Sequence, residues 1–208
     1  MRKSIEEIRR GELIEGAYRA FVKFGLGGLT SARISREVGM SPGILNYYFK
    51  NKDEILFWMI RYANRLIMLE VVRGLSAAST RWERIMAILE GNFPDRMYDV
   101  RTASAWVSFF SAVPQKPQFA RLQDLFYRRL KSNLDSSLDG IVSAEESRQL
   151  FLGISVLIDG LWLRRSLSDD VLAREDAIAL IRRHVERHLG PEAVAELKRR
   201  PAASARAR

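Results

Sequence analysis

The sequence predicts an all-α protein of about nine helices, on three observations. Capping boxes recur at Ser4-Ile5-Glu6-Glu7, Thr80-Arg81-Trp82-Glu83 and Ser143-Ala144-Glu145-Glu146, where a hydroxyl can accept from the amide three residues on and the glutamate can reach back. Apolar residues recur at spacings of three and four along most of the chain, and no stretch alternates apolar with polar as a half-buried strand would. Glycines and prolines stand where those runs stop, as at Gly25, Gly39, Pro94, Pro114, Pro117 and Gly190-Pro191.

The first helix opens at the Ser4 cap, carries Leu13, Ala17, Ala20, Phe21 and Phe24 at helical spacing, and stops at Gly25. Gly27-Gly28 make a turn, and Thr30 caps a short helix from Ser31 to Val38 that Gly39 ends. Ser41 is expected to cap a third helix with Pro42 at its first position, where the missing N–H costs nothing. That helix breaks at Asn51 or Lys52, and a long fourth runs from Asp53 to Gly74. The Thr80 box starts a fifth toward Asn92, and Pro94, Pro114 and Pro117 bracket a sixth containing Trp106, Phe109 and Phe110. Gln118 to Leu138 is amphipathic, Ser143 caps an apolar helix through Arg165, and Ala173 to Leu189 ends at Gly190-Pro191. The expected organisation is a helix-turn-helix domain over 1–52, a second helical domain over 53–190, and a flexible basic tail over 191–208.

With 208 residues, 47% of them apolar, the chain can bury a sizeable core. The absence of cysteine excludes a disulfide framework, a thiolate nucleophile and a cysteine-based zinc site, and fits a reducing cytoplasm. The N-terminal MRKSIEEIRRGE has no apolar segment to act as a signal peptide, and the most apolar run, Leu150 to Leu163, is too short to span a bilayer and carries Asp159. The reading is a soluble, cytoplasmic protein. Catalysis finds little support: His184 and His188 have a spacing that can hold a metal, but there is no His-Glu-x-x-His pattern, phosphate-cradling glycine loop or serine elbow. The histidines read as interface residues, and no metal or cofactor is expected.

Net charge is +9, with a sequence pI near 10.2, which favours polyanionic partners. Residues 1–52 hold ten Lys and Arg against five acids. Two short helices joined by Gly39-Met40-Ser41 have the layout of a helix-turn-helix. Ile34, Val38, Met40, Leu45 and Phe49 would pack inward, leaving Ser41, Pro42, Gly43, Ile44 and Tyr47 outward, with Tyr48 beside them. That face suits duplex DNA. Ile44 can touch a thymine methyl, the phenols can combine apolar contact with a hydroxyl aimed at phosphate, and Gly43 holds nothing off the groove wall. Lys50 and Lys52 would follow the backbone, with Thr30, Ser31 and Arg33 beside the opposite strand. The competing reading is a helical scaffold or basic membrane-surface protein in which the tyrosines are core.

Residues 8–56, and TSARISREVGMSPGILNYYFKNKDEIL above all, resemble the N-terminal domain of TetR-family transcription regulators. The resemblance implies a three-helix DNA reader, a long fourth helix leading into a ligand-binding and dimerising domain, and release of a palindromic operator on ligand binding. Further on, GNF (Gly91–Phe93), AWVSFF (Ala105–Phe110), RRLKSNL (Arg128–Leu134) and LIDGLWLRRSLS (Leu157–Ser168) look like the choline-responsive repressors of betaine biosynthesis within that family. This implies choline or betaine aldehyde as effector; a regulator of another small hydrophobic or cationic ligand is the alternative. Tyr47 stands where that branch is expected to carry a histidine, implying a different operator sequence.

In the rear domain, Leu150, Ile154, Leu157 and Leu161 share one stripe, and Gly153 and Gly160 would let a second helix come close. With the helix Asp176–Leu189 this is expected to form a four-helix interface between two copies, a homodimer that sets two reading helices about 34 Å apart on DNA. Asp159 is anomalous in so apolar a helix. It either pairs with an arginine such as Arg164 or Arg165, makes a capped polar contact at the dimer seam, or serves as counter-charge for a cation. Trp106, Phe109, Phe110, Tyr127 and Trp162 are either core or, with Asp159, a cage for a quaternary ammonium.

Overall fold

The computed structural model describes residues 4–41, 43–168 and 172–202, and within them the chain is helical throughout. The elements are α1 (Ile5–Phe24), α2 (Ser31–Val38), α3 (Ile44–Tyr48), α4 (Lys52–Ala77), α5 (Arg81–Gly91), α6 (Val100–Phe110), a 3-10 turn at Val113–Gln115, α7 (Pro117–Leu138), α8 (Ala144–Leu167) and α9 (Arg174–Arg199). All three capping boxes form, at Ser4, Thr80 and Ser143. Thr30, Asn51 and Asp99 cap α2, α4 and α6 through their side chains. No helix among the described residues is long and apolar enough to cross a membrane.

α4 is the axis. Its 26 residues rise about 39 Å, long enough to serve both parts of the molecule. Ile55, Leu56, Met59, Ile60 and Ala63 bury its first half against Leu13, Ala17, Ala20 and Phe21 of α1. Ile67 and Val71 continue the buried stripe along α5, which contributes Ile85, Ile88 and Leu89. α6 lies between α1 and α8, α7 closes over α4 and α5, and α9 packs across α5 and α8.

Two glycines set how closely α4 and α5 approach. A β-carbon on Gly91 would lie 2.7 Å from the backbone N and Cα of Val71, and one on Gly74 would lie 2.8 Å from Cβ of Ala87. Real side chains do not tolerate such contacts, so the two backbones touch only because both residues lack a side chain.

The basic tail starts later than residue 191. The positive φ of Gly190 (74°) kinks the chain, and the helix then continues from Pro191 to Arg199. It continues because Val194 and Leu197, three residues apart, find places in the core, while the Lys198 ammonium sits 5.5 Å over the Trp82 ring. The chain is then pinned to the start of α5: Arg81 N–H donates to the Arg200 carbonyl at 3.1 Å, and Ala202 N–H to that of Ser79 at 2.8 Å. The remainder of the expected tail, 203–208, lies outside the described residues.

Gly91→Ala should therefore destabilise by about 1–3 kcal/mol, the usual cost of overpacking. Thermal unfolding followed by circular dichroism checks this; a melting temperature within a degree of the parent's would refute the close-approach argument.

Candidate functional site

The front of the molecule is built from α1 to α3. Gly39 ends α2 in the left-handed region (φ 68°, ψ 29°), and Met40 N–H turns back to the Ser35 carbonyl at 2.9 Å. Ile34, Leu45 and Phe49 are buried, and Val38 and Met40 pack at the edge of the same core. Gly16 of α1 admits α2 closely, since a β-carbon there would lie 2.3 Å from Cγ1 of Val38.

The expected cap of α3 needs correction. α3 spans five residues, starts at Ile44, and has Gly43 at its cap with no side-chain hydrogen bond. Ser41 contributes its backbone instead, its carbonyl accepting from Ile44 N–H at 3.1 Å in a tight turn. Pro42, expected at the first helical position, lies outside the described residues.

Tyr47 is 76% exposed, and Ser41 and Gly43 are open to solvent beside it, with no atom within 4 Å of where a Gly43 β-carbon would stand. Ile44 and Tyr48 are only half exposed and rest on the core, with the Tyr48 ring edge-on to Tyr47 at 4.9 Å. Lys50 and Lys52 are exposed, and neither has a carboxylate partner among the described residues. Thr30 and Ser31 are exposed at the start of α2. Arg33 is less free than its sequence position implies: its guanidinium donates to the Gly28 carbonyl at 2.7 Å and lies 4.4 Å over the Phe24 ring.

One organising residue was not legible beforehand. Arg10 of α1 donates to the Tyr48 carbonyl at 3.1 Å and to Glu54 Oε1 at 2.7 Å, while covering the rings of Phe49 and Trp58. Glu54 also accepts from Lys50 N–H at 2.8 Å, and its carboxyl is held below the usual range, first by that amide and then by Arg10. The group ties the end of α3 to the start of α4. Its members lie 38 and 44 positions apart, so no local pattern announces it.

The rear holds a small cavity, about 30 Å³, where α4, α6, α7 and α8 meet. Of the anticipated cage, Trp106, Phe110, Asp159 and Trp162 do converge on it. Asn64, Gln123 and Phe126 line it as well, unforeseen because they are ordinary surface-type or core-type residues in their own helices. Phe109 does not: it is fully buried beside them, against Phe119 at 5.3 Å and Trp106 at 5.6 Å. The aromatic run at 109–110 straddles the helix, so its two rings point to different places. Tyr127 stands behind the wall, its hydroxyl donating to Asp159 Oδ2 at 2.5 Å.

That contact settles how the anomalous carboxylate is held: Tyr127, and neither Arg164 nor Arg165, is the hydrogen-bond partner found for Asp159. Burial pushes the Asp159 carboxyl above the ordinary range, opposed by the Tyr127 hydrogen bond. The Tyr127 phenol is pushed up by burial first and by Asp159 second. Trp162 is locked by its indole N–H on the Asn92 carbonyl (3.2 Å) and by stacking on Phe93, whereas the Trp106 indole N–H is buried with no partner among the described residues.

Two contacts join this cavity to the front. Trp106 meets Phe21 of α1 edge-on, with centroids 6.3 Å apart. Ser108, on the same helix, accepts at Oγ from Leu26 N–H (3.0 Å) in the turn between α1 and α2.

On the outer face of α8, Leu152, Val156, Leu163 and Leu167 form an exposed apolar stripe, with exposed Gly160 among them. Gly160 has open space above it, as a contact with another molecule would need. Gly153 does not: the group that approaches it is His184 of the same chain, whose Nε2 would lie 2.3 Å from a β-carbon there. The close approach at Gly153 is thus α8 on α9 within one chain.

Comparison with known proteins agrees with this architecture. Residues 13–58 match the family of bacterial regulatory proteins of the tetR type, and residues 81–190 match the C-terminal domain of BetI-type transcriptional repressors. The HTH-type transcriptional regulator BetI of Yersinia pestis (strain Pestoides F) is 34% identical over 187 residues, covering 89% of this chain and 94% of that protein. A crystallised transcriptional regulator from Pseudomonas aeruginosa PAO1 superposes with a TM-score of 0.75 at 22% identity, covering 94% of this chain and 96% of that one. Another, from Saccharomonospora viridis and in complex with choline, gives 0.75 at 20% identity, covering 86% and 96%. The chain belongs to the TetR family and carries a BetI-type C-terminal domain: it is a ligand-responsive, DNA-binding transcriptional repressor, not an enzyme.

Proposed function

We propose that the protein works in the cytoplasm as a homodimer that holds a palindromic operator through Tyr47 and its neighbours and lets go when choline, betaine aldehyde or a closely related cation enters the cavity at Asp159. The observation that carries the DNA half is the contrast on α3. Leu45 is sealed in the core, while Tyr47, two residues on, stands 76% exposed between open Gly43 and unpaired Lys50 and Lys52. A ring this exposed, packed only edge-on against Tyr48, fits a groove contact. Ser41, Gly43, Ile44 and Tyr48 extend the contact, with Thr30, Ser31 and Lys52 at the phosphates. Arg33 can contribute there through the guanidinium N–H groups that its bond to Gly28 leaves unused.

The cation half rests on the chemistry of the cavity. Two indoles, two phenyl rings and one carboxylate converge, and each aromatic face adds about 0.5–2 kcal/mol toward a quaternary ammonium. Choline bound to the Saccharomonospora neighbour supports the same class of ligand. At about 30 Å³ the cavity holds no more than a water, so a ligand has to push its walls apart. Two of those walls reach the reader: Trp106 bears on Phe21, and Asn64 and Ile67 belong to α4. Expansion would shift α1 and α4, and with them the spacing of the two reading helices. A coupling of ~1–3 kcal/mol lowers operator affinity about 5- to 150-fold.

The dimer reading rests on the α8 stripe, which is too apolar to face water alone. Val156→Glu at its centre, 68% exposed in the single chain, should yield monomers by light scattering and weaken binding to the full palindrome; a dimer of unchanged mass would rule out this face.

Selection of bound sequences from a random duplex pool, followed by titration with and without choline, tests the DNA reading. Tyr47→Ala should lose about 1–3 kcal/mol on the selected palindrome and little on scrambled duplex, whereas Lys52→Ala should weaken both alike and lower the salt slope by about one. Equal loss on both duplexes for Tyr47→Ala would refute a base contact.

Asp159→Asn keeps an acceptor for Tyr127 while removing the charge. The folded-state pKa of this acid is raised, so between the unfolded and folded values the native state holds the extra proton and its stability falls as pH rises through that window. At neutral pH the variant should melt no lower than the parent, yet lose choline binding by calorimetry. The parent's choline affinity should rise with pH through the Asp159 titration, since the carboxylate is the binding form. Unimpaired choline binding by Asp159→Asn would exclude it as the counter-charge.

A further inference from the structure

A second and larger concavity runs along the surface between α4 and α7, over the end of α5, with a volume of about 570 Å³. Its chemistry is opposite to that of the cage. Its walls are aliphatic, including Val71, Val72, Leu125 and Leu130, and Val72 and Leu125 are left 48% and 38% exposed. Its rim carries Arg61 and Arg65 from α4 and Arg129 from α7, and none of these guanidiniums has a carboxylate partner among the described residues. Neighbouring charges on α7 behave differently: Arg128 pairs with Asp124 at 2.7 Å and Lys131 with Asp135 at 2.6 Å. Arg61 lies over the Trp58 ring at 5.1 Å; Arg65 and Arg129 have no such cover.

We propose that this groove binds an aliphatic amphiphile with a single anionic head, a fatty carboxylate being the simplest. The tail lies along Val71, Val72 and Leu125, and the head meets Arg65 and Arg129. Unpaired guanidiniums favour a carboxylate bidentately, and exposed aliphatic walls favour a chain, each methylene buried raising affinity about fourfold. From Arg61 to Leu75 the α4 wall rises about 21 Å, room for a medium-length acyl chain laid along it. Neither a nucleic acid nor a quaternary ammonium suits this combination: the walls offer nothing to phosphates, and the rim repels a cation.

The test is isothermal titration of the full-length protein with sodium dodecanoate below its critical micelle concentration. Saturable binding of one molecule per chain is expected, with decanoate weaker by about fifteenfold. Arg65→Glu/Arg129→Glu, at two exposed positions, should weaken dodecanoate at least about tenfold, and Arg65→Lys/Arg129→Lys should keep most of the affinity. Leu125→Glu tests the tail separately, so the proposal stands or falls on it even where the double variant does not fold. Asp159→Asn should leave dodecanoate binding unchanged, and any change there would move the molecule into the cage and overturn the proposal. Unsaturable uptake of many molecules per chain, or affinity indifferent to both charge reversal and Leu125→Glu, would also overturn it. So would a wild type that ignores dodecanoate while Leu125→Glu splits an oligomer, which would give the groove to a second copy.

Discussion

Backbone contact between α4 and α5 governs the rest of this molecule. At Gly74 and Gly91 the two helices come so near that one added carbon on either would meet its neighbour inside normal contact distance. This approach seats Ile67 and Val71 against Ile85, Ile88 and Leu89 and holds the far half of α4 firmly in the rear domain. The near half of the same helix is buried against α1. An α-helix is stiff over this length, so a displacement at one end is carried to the other. One continuous element is anchored in the rear core and forms the floor of the reading head.

The reading head is attached by more than α4. Arg10 gathers the end of α3 and the start of α4 with two hydrogen bonds and two ring contacts, and Ser108 holds the turn between α1 and α2 from α6. Both are directional polar contacts at the seam between the parts. Such polar contacts break and re-form at a net cost of about 1 kcal/mol each, which suits the movement that the proposed release requires. Lys116 adds a third tie, its ammonium 2.6 Å from Asp53 at the first turn of α4.

The proposed effector cavity and the neighbouring groove share a wall in Asn64, Ile67, Asn92 and Phe126 but differ in charge. A carboxylate held in an apolar helix by one phenol is costly to keep ionised, which is why burial lifts its pKa. A cation at the proposed site would offset that cost of burial. The arginine-rimmed groove has the inverse requirement.

The helices were legible because their signals are local. Capping boxes, glycine stops and three-four periodicity act within one or two turns, and α1, α2, α5 and α8 begin where those rules put them. The exposed Tyr47 was legible too, because helical phase alone separates it from buried Leu45. Tertiary packing decided what local chemistry leaves open. Phase could place Phe109 and Phe110 on α6 but not say that one faces the cavity and the other faces Phe119. Spacing marked Gly153 as a point of close approach, yet its partner proved to be His184 of the same chain. The Gly190-Pro191 stop and the basic residues beyond it made 191–208 read as a tail, whereas Val194 and Leu197 found a core to enter and drew the helix on to Arg199. Local sequence set each helix and its apolar face, because those depend on neighbours within a few residues; which groups meet depends on contacts tens of residues apart, and only the packed fold determines those.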